Sequence, residues 1–138
     1  MKIRVLVDGQ VPQYATPGSV GVDLQSAEEM QIWPGYTRTV STGLRVAIPE
    51  GFEMQIRSRS GLALEGIVVA NAPGTIDSDY RGEIKVILVN LSASIFNVHV
   101  GDRIAQGVFA PVVRAEFEPR DVLPATVRGE GGFGSTGI

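Results

Sequence analysis

Glycine and proline divide this chain into short apolar runs, and this punctuation limits the possible folds more than any other feature. Seventeen glycines and eight prolines occur in 138 residues. Most of the runs between them partly alternate in polarity and end at Gly, Pro, Asn or Asp, as strands joined by tight turns do. The main runs are 3–7, 37–41, 44–48, 52–56, 83–90 and 104–109. The pattern predicts an all-β fold, a jelly roll or β-sandwich.

Two connections between these runs have a more specific interpretation. Pro49-Glu50-Gly51 separates two apolar runs and predicts a hairpin turn. A single helical turn is predicted from Ser60 to Glu65, with Ser60 as the N-cap residue.

The composition excludes several classes of function. The chain has no cysteine, which excludes disulfides, cysteine zinc sites and thiol catalysis, and its one histidine cannot build a multi-histidine metal site. A net charge of −3 argues against broad nucleic-acid binding. We find no apolar run of the ~20 residues that a membrane helix needs and no signal peptide. We therefore expect one domain in the cytoplasm, or in the nucleus if the source is eukaryotic or viral, without a nucleic-acid or membrane partner.

Two polar stretches in the first half of the chain suggest a site for an anion and a cation. Asp23 lies between Val22 and Leu24 and is expected to face away from both, where its carboxylate can orient water around a cation. The stretch 57–61, Arg-Ser-Arg-Ser-Gly, precedes the predicted helical turn, and a helix start favours phosphate. The alternatives are an ordinary strand residue and a solvated arginine pair.

The stretch from Asn71 to Glu83 is the most informative. Two strands are expected here, joined by a turn at 71–74, and Asp77 and Asp79 share a face if the second strand continues. A solvated acidic turn is the alternative. The pairing of Tyr80 with these carboxylates instead suggests a flat surface for a ring beside a general base.

Two further stretches lie in the second half of the chain. Gln106 is two positions from Ile104 and is expected on the same face, where a buried amide needs a hydrogen-bond partner. The C-terminal stretch 128–137 has the composition of a flexible tail, but it also carries an arginine, a phenylalanine and a Ser-Thr pair among its glycines. This combination suggests a lid that orders over a nucleotide triphosphate.

In this order and spacing, the five stretches resemble the motifs of the trimeric dUTPase family from Gly21 to Gly137. The most specific are Ile76-Asp77-Ser78-Asp79-Tyr80-Arg81-Gly82 and Arg128-Gly129-Glu130-Gly131-Gly132-Phe133-Gly134-Ser135-Thr136-Gly137. The resemblance implies Mg²⁺-dependent hydrolysis of dUTP to dUMP and pyrophosphate, which limits uracil in DNA and supplies dUMP for dTMP synthesis. It also implies a β-clip jelly roll over residues 1–125, a glycine-rich arm over 126–138 that closes the site, and a homotrimer whose active sites are shared between subunits.

The resemblance also implies a role for each matching residue. Asp77 would be the general base, and Tyr80 would pack under the deoxyribose and reject UTP. Uracil would be bound by the hairpin that contains Asn71, Gly74 and Ile76. The α- and β-phosphates would be held by Arg59, Ser60, Gly61 and Gln106. Asp23 would contact Mg²⁺ through water, while the triphosphate chelates the metal. In the arm, Phe133 would stack on uracil and Arg128 would bind the γ-phosphate, with Gly134, Ser135 and Thr136 beside them.

Some features of the chain favour other interpretations. The family usually has proline before the arginine of its second motif, whereas this chain has Ser58, so we expect a slightly looser phosphate loop. His99 has no role in the family pattern. Glu65 invites comparison with dCTP deaminases, which share the fold, but the second arginine of their helix start is missing here. A non-catalytic regulatory protein of the same fold is the remaining alternative.

Overall fold

The chain folds as a β-sandwich. A computed structural model describes residues 1–137, and within them ten strands and one short helix occur. The prediction of an all-β sandwich of the jelly-roll kind with one short helix is confirmed. In chain order the elements are β1 Arg4–Val7, β2 Val22–Gln25, β3 Met30–Ile32, β4 Thr37–Ala47, β5 Phe52–Arg57, α1 Ser60–Leu64, β6 Ile67–Val69, β7 Gly74–Ile76, β8 Ile84–Asn90, β9 Phe96–Val98 and β10 Arg103–Pro111.

Two four-stranded antiparallel sheets form the two layers. One sheet has the order β1-β4-β8-β6, the other has the order β2-β10-β5-β7, and β3 pairs with β9 in a small third sheet. Strand β8 shows why the layers pack, because Ile84, Val86 and Leu88 are at most 1% exposed while Lys85 between them is exposed. Each such side chain contributes about 1.5–3 kcal/mol when it leaves water.

The two sheets are linked by connections that a linear sequence does not reveal. Pro49-Glu50-Gly51 forms a turn in which the Phe52 N–H donates to the Pro49 carbonyl over 3.2 Å. This turn leads from β4 in one sheet to β5 in the other, so the predicted hairpin is wrong. The runs 37–41 and 44–48 belong mainly to one strand, β4, whose pairing with β8 is interrupted between Ser41 and Leu44.

The helix begins differently from the prediction. Arg59, with an extended backbone (φ −87°, ψ 134°), occupies the N-cap position, and no side chain caps the helix. Ser60 is the first helical residue, so its prediction as N-cap was wrong. The Ala63 N–H donates to the Arg59 carbonyl over 2.9 Å and closes the single turn.

Asn90 is a fully buried polar residue that joins three segments. Its side-chain amide donates to the carbonyls of Ile32 and Ser94, both over 2.8 Å. Its side-chain carbonyl accepts from the backbone N–H and the hydroxyl of Ser92. Because every polar atom of a buried amide needs a partner, these bonds fix the loop after β8 against the end of β3.

The chain leaves the sandwich after β10. The Val112 N–H donates to the Gly51 carbonyl over 2.9 Å, and residues 113–130 are exposed without strand or helix. Several large apolar side chains in this stretch are exposed to solvent: Val113, Phe117, Val122, Leu123 and Val127. Within residues 1–137 we find no helix with the length and apolar character that crossing a membrane requires.

Candidate functional site

A row of polar side chains crosses the outer face of the sheet β2-β10-β5. Asp23 on β2 lies opposite Gln106 on β10, and Gln106 lies opposite Arg57 on β5. Directly opposed residues point to the same face of a sheet. The neighbours of Asp23, Val22 and Leu24, are buried in the core, so Asp23 faces outward as predicted.

Gln106 does not share a face with Ile104. The register between β10 and β2 shifts between Arg103 and Ala105, so one residue is inserted there. Such a bulge breaks the alternation of sides along a strand. The expected placement of Gln106 beside Ile104 was therefore wrong, and the half-buried amide lies with Asp23 instead.

The Asp23 carboxylate is flanked by two arginines. Its Oδ1 lies 3.4 Å from Arg59 Nε, and its Oδ2 lies 3.7 Å from Arg103 Nη1. Arg59 Nη1 also donates to the Arg103 carbonyl over 2.9 Å. Asp23 Oδ1 is buried and has no hydrogen-bond partner within residues 1–137. We call Asp23, Arg59, Arg103 and Gln106 the Asp23 cluster.

The end of β5 and the segment that connects it to α1 carry the basic residues of the predicted phosphate stretch. Arg57, the last residue of β5, donates to the Gln55 side chain on its own strand over 2.9 Å and 3.3 Å. Ser60 and Gly61 are exposed at the start of α1. Ser58 Oγ accepts from the Val69 N–H over 2.8 Å. This bond anchors the loop at Ser58. The absence of proline at this position had suggested a looser loop.

The turn from Asn71 to Gly74 lies between β6 and β7. These strands belong to different sheets, so the predicted hairpin is not a paired one. Gly74 lies so close to β5 that a Cβ atom there would be 3.2 Å from Ile56 Cβ and 3.4 Å from Asn71 Nδ2. The missing side chain at Gly74 therefore allows the turn to pack against the sheet, with Asn71 exposed beside it.

Asp77 follows β7 directly but lies in a turn. The Tyr80 N–H donates to the Asp77 carbonyl over 3.2 Å. Strand β7 ends at Ile76, so the expectation that Asp77 and Asp79 share the face of a continued strand was wrong. Asp77 is exposed and free to contact a ligand.

Tyr80 is held within the same turn. Its hydroxyl donates to the Glu83 carbonyl over 2.9 Å, and 42% of the residue is exposed. Arg81 Nη1 donates to the carbonyls of Ser78 and Tyr80 over 2.7 Å and 3.0 Å. These hydrogen bonds link both ends of the turn 77–83.

The described part of the arm, 126–137, consists of tight turns. Arg128 Nε donates to the Gly131 carbonyl over 2.8 Å, and the Ser135 N–H donates to the Gly132 carbonyl over 3.0 Å. Phe133 is fully exposed, with φ +50°. Within residues 1–137, no hydrogen bond or ion pair joins this segment to the Asp23 cluster or to the turn 77–83. Residue 138, which the predicted arm includes, lies outside the described residues.

Comparison with known proteins identifies the family. Residues 8–137 match the family model described as dUTPase. The chain belongs to the dUTPase family. The resemblance predicted from the five sequence stretches is thereby confirmed.

Relatives of this dUTPase-family chain extend along its whole length. Proteins named deoxyuridine 5'-triphosphate nucleotidohydrolase from Wolinella succinogenes and Anaplasma marginale are 54% and 55% identical to it. The matches cover 99% of this chain in both cases, and 95% and 97% of the two relatives.

Solved dUTPase structures share the fold. The Staphylococcus bacteriophage 80alpha dUTPase with dUPNHPP superposes with a TM-score of 0.92 at 24% identity, over 99% of each chain. A dUTPase from phage phi11 of S. aureus, whose structure reveals the coordination of a structural Mg(II) ion, gives a TM-score of 0.82 at 22% identity. It covers 88% of this chain and 98% of that one.

Two contacts near these predicted positions escaped the sequence interpretation. Arg103 lies beside the Asp23 carboxylate, and the Glu83 carbonyl accepts from the Tyr80 hydroxyl. No sequence pattern signals contacts of that kind.

Proposed function

We propose that this dUTPase-family protein hydrolyses dUTP to dUMP and pyrophosphate in the cytoplasm. The observation that carries the proposal is the identity of 54–55% to proteins named as dUTP nucleotidohydrolases over nearly the whole chain. The reaction needs groups that bind phosphate, a base for water, and a surface that selects the nucleoside. We assign each need to residues of this chain.

Phosphate binding falls to the Asp23 cluster and the start of α1. Arg59 is only partly paired, because its contact with Asp23 is 3.4 Å long and both side chains remain partly exposed. A triphosphate offers Arg59 stronger charge-assisted bonds. The exposed N–H groups of Ser60 and Gly61 and the amide of Gln106 complete the donors for the α- and β-phosphates.

The residues around Asp23 fit a cation held by the substrate rather than by the protein. No group of three or more His, Asp or Glu side chains able to hold a metal occurs within residues 1–137. One carboxylate with an unsatisfied, buried oxygen can instead accept a hydrogen bond from a metal-bound water. The chemistry supplied by Mg²⁺ in such a site is neutralisation of charge on the phosphates. Arg59 would be released from Asp23 as the phosphates bind.

Asp77 acts as the general base in this proposal. Its exposed carboxylate accepts the proton of a water molecule while the water oxygen attacks the α-phosphorus. The bond from the α-phosphorus to the bridging oxygen breaks, and pyrophosphate leaves in line. Positioning and charge neutralisation therefore supply most of the rate, without a covalent intermediate.

Nucleoside selection falls to the two turns that surround β7. The Asn71 side chain and the backbone near Gly74 and Ile76 offer hydrogen bonds to the uracil edge, so cytosine would leave polar groups unpaired. The Tyr80 ring is held by its bond to Glu83 and offers a flat surface to the deoxyribose. A 2′-hydroxyl would collide with that ring.

The arm completes the site from another copy of the chain. Arg128 would bind the γ-phosphate, Phe133 would stack on uracil, and Gly134, Ser135 and Thr136 would surround them. Because the resemblance to trimeric dUTPases implies shared active sites, we propose a homotrimer in which residues 1–125 form the β domain and 126–138 form the arm.

Pyrophosphate release tests this function. With Mg²⁺ present, we expect release from dUTP and none from dCTP, dTTP or UTP. Asp77→Asn should still bind dUTP but lose most turnover. The same change at the exposed Asp79 nearby, Asp79→Asn, should retain turnover. Release from none of the four nucleotides would contradict the proposal, and ammonia from dCTP would indicate a deaminase.

A further inference from the structure

Gly82 lies against the hydroxyl end of the Tyr80 ring. A Cβ atom built on Gly82 would lie 2.7 Å from Tyr80 Cε1 and closer still to Cζ and Oη. No real side chain tolerates such contacts. The φ angle of Gly82 is not positive, so the backbone itself accepts any residue. The requirement for glycine here therefore comes from the ring and not from the chain conformation.

The backbone on both sides of Gly82 is fixed. Glu83 is anchored through its carboxylate, which accepts from the Gly43 N–H over 2.9 Å, and it precedes the first residue of β8. The Arg81 carbonyl accepts from Arg45 Nη1 over 3.2 Å. These bonds tie the turn to β4. A side chain at position 82 would therefore displace the Tyr80 side chain, which is 42% exposed, rather than the backbone.

We infer that Gly82 is a specificity-determining residue, because it lets the Tyr80 ring fold back against the backbone and so sets the shape of the sugar pocket. This inference rests on the proposed function, in which Tyr80 lies under the deoxyribose. Two features restrain the hydroxyl end of the ring: the bare backbone of Gly82 and the hydrogen bond to Glu83.

Displacement of the ring lowers the preference for dUTP over UTP whichever way the ring moves. A ring that moves away from the sugar leaves room for a 2′-hydroxyl, so kcat/KM for UTP rises. A ring that moves towards the sugar removes the packing that favours deoxyribose, so kcat/KM for dUTP falls, whereas that for UTP is already low and changes little. We therefore expect Gly82→Ala to reduce the ratio of kcat/KM for dUTP to that for UTP by at least about tenfold.

A matched variant separates this effect from general damage. Gly18→Ala makes the same chemical change at a glycine with no heavy atom within 4 Å of the new methyl, so it should alter nothing. Thermal melting verifies that each variant is folded.

A substrate-free measurement tests the geometry by itself. In protein labelled at glycine and tyrosine, NMR should detect a nuclear Overhauser effect between the Tyr80 ring and the Gly82 Hα protons. Absence of this effect in the native protein would overturn the inference. An unchanged dUTP-to-UTP ratio in folded Gly82→Ala would overturn it as well.

Failure of the proposed function is distinguishable from failure of the inference. If the native protein releases no pyrophosphate, calorimetry with the α,β-imido analogues of dUTP and UTP replaces kinetics. The native protein should then bind the dUTP analogue more tightly than the UTP analogue. A decrease of this affinity ratio by at least about tenfold in Gly82→Ala supports the inference without catalysis. Equal binding of the two analogues by the native protein overturns it.

Discussion

The hydrogen bond from the Val69 N–H to Ser58 Oγ joins the two sheets at the phosphate loop, and its removal has a calculable cost. Strand β6 is an edge strand, so the Val69 N–H has no partner strand on that side. Val69 is 4% exposed. In Ser58→Ala this donor loses its acceptor, and a buried donor without an acceptor costs about 1–3 kcal/mol. At about 2 kcal/mol, Tm falls by about 6–8 °C for a chain of this length.

The same change should also affect catalysis. Arg59 follows Ser58 directly, and the turn with Asn71 begins two residues after Val69. One bond therefore positions both the residue proposed to bind phosphate and the turn proposed to bind uracil. If the transition state loses about 1.4 kcal/mol of this positioning, kcat/KM for dUTP falls about tenfold. Pyrophosphate release and urea unfolding, both at one fixed protein concentration because oligomers unfold in a concentration-dependent way, measure the two effects.

Ser58→Thr provides the matched control, because threonine retains the hydroxyl acceptor. It should recover most of the lost stability and rate. If Ser58→Ala unfolds and turns over dUTP like the native protein, the bond contributes nothing. If the threonine variant is as impaired as the alanine variant, the effect comes from packing and the argument from the hydroxyl fails.

Three further predictions follow from other parts of the molecule. Asn90→Ala should lower the free energy of unfolding by about 3 kcal/mol in urea titrations, while the exposed Asn97→Ala should change it by less than about 0.5 kcal/mol; equal effects would contradict the role of burial. Truncation after Arg120 should leave Tm nearly unchanged and reduce pyrophosphate release at least about 100-fold, and an unaffected rate would refute the arm as a lid. Asp23→Asn should raise the Mg²⁺ concentration for half-maximal rate about tenfold, and an unaltered Mg²⁺ titration would argue against its contact with metal-bound water.

The strands with clear periodicity were predictable from sequence because their pattern is set by burial alone. β8 alternates between buried and more exposed residues, and the prediction 83–90 differs from it by one residue. β3 and β9 have three residues each, which is too short for any periodicity to emerge. Within residues 1–137 these two strands pair with each other across a sequence separation of 66 residues, so no local pattern indicates either strand.

Sheet membership was not predictable because it depends on contacts distant in sequence. Pro49-Glu50-Gly51 has the composition of a hairpin turn, yet it carries the chain from one layer to the other. Turn residues specify a reversal of direction but not whether the next strand pairs with the previous one.

At the candidate site, residue types were predictable and their surroundings were not. Asp23 could be assigned to the outer face because both neighbours are apolar. Gln106 could not, because a bulge shifts the alternation and no residue near Arg103 marks the inserted position. The contact of Arg103 with Asp23 spans 80 positions of sequence, and only the register of β10 against β2 brings the two together.

The covalent attachment of the arm at the end of β10 determines how its proposed closure over the site depends on protein concentration. Val112 is fixed to Gly51, and about 16 residues at roughly 3.3 Å each give Arg128 a reach of up to about 50 Å. A tethered segment of this length meets its target at an effective concentration of about millimolar order, whatever the amount of protein in solution. Within an assembled oligomer, closure is therefore a first-order event, and dilution that leaves the oligomer intact does not slow it. A separate peptide with the sequence of the arm would have to be supplied at about that concentration to replace it.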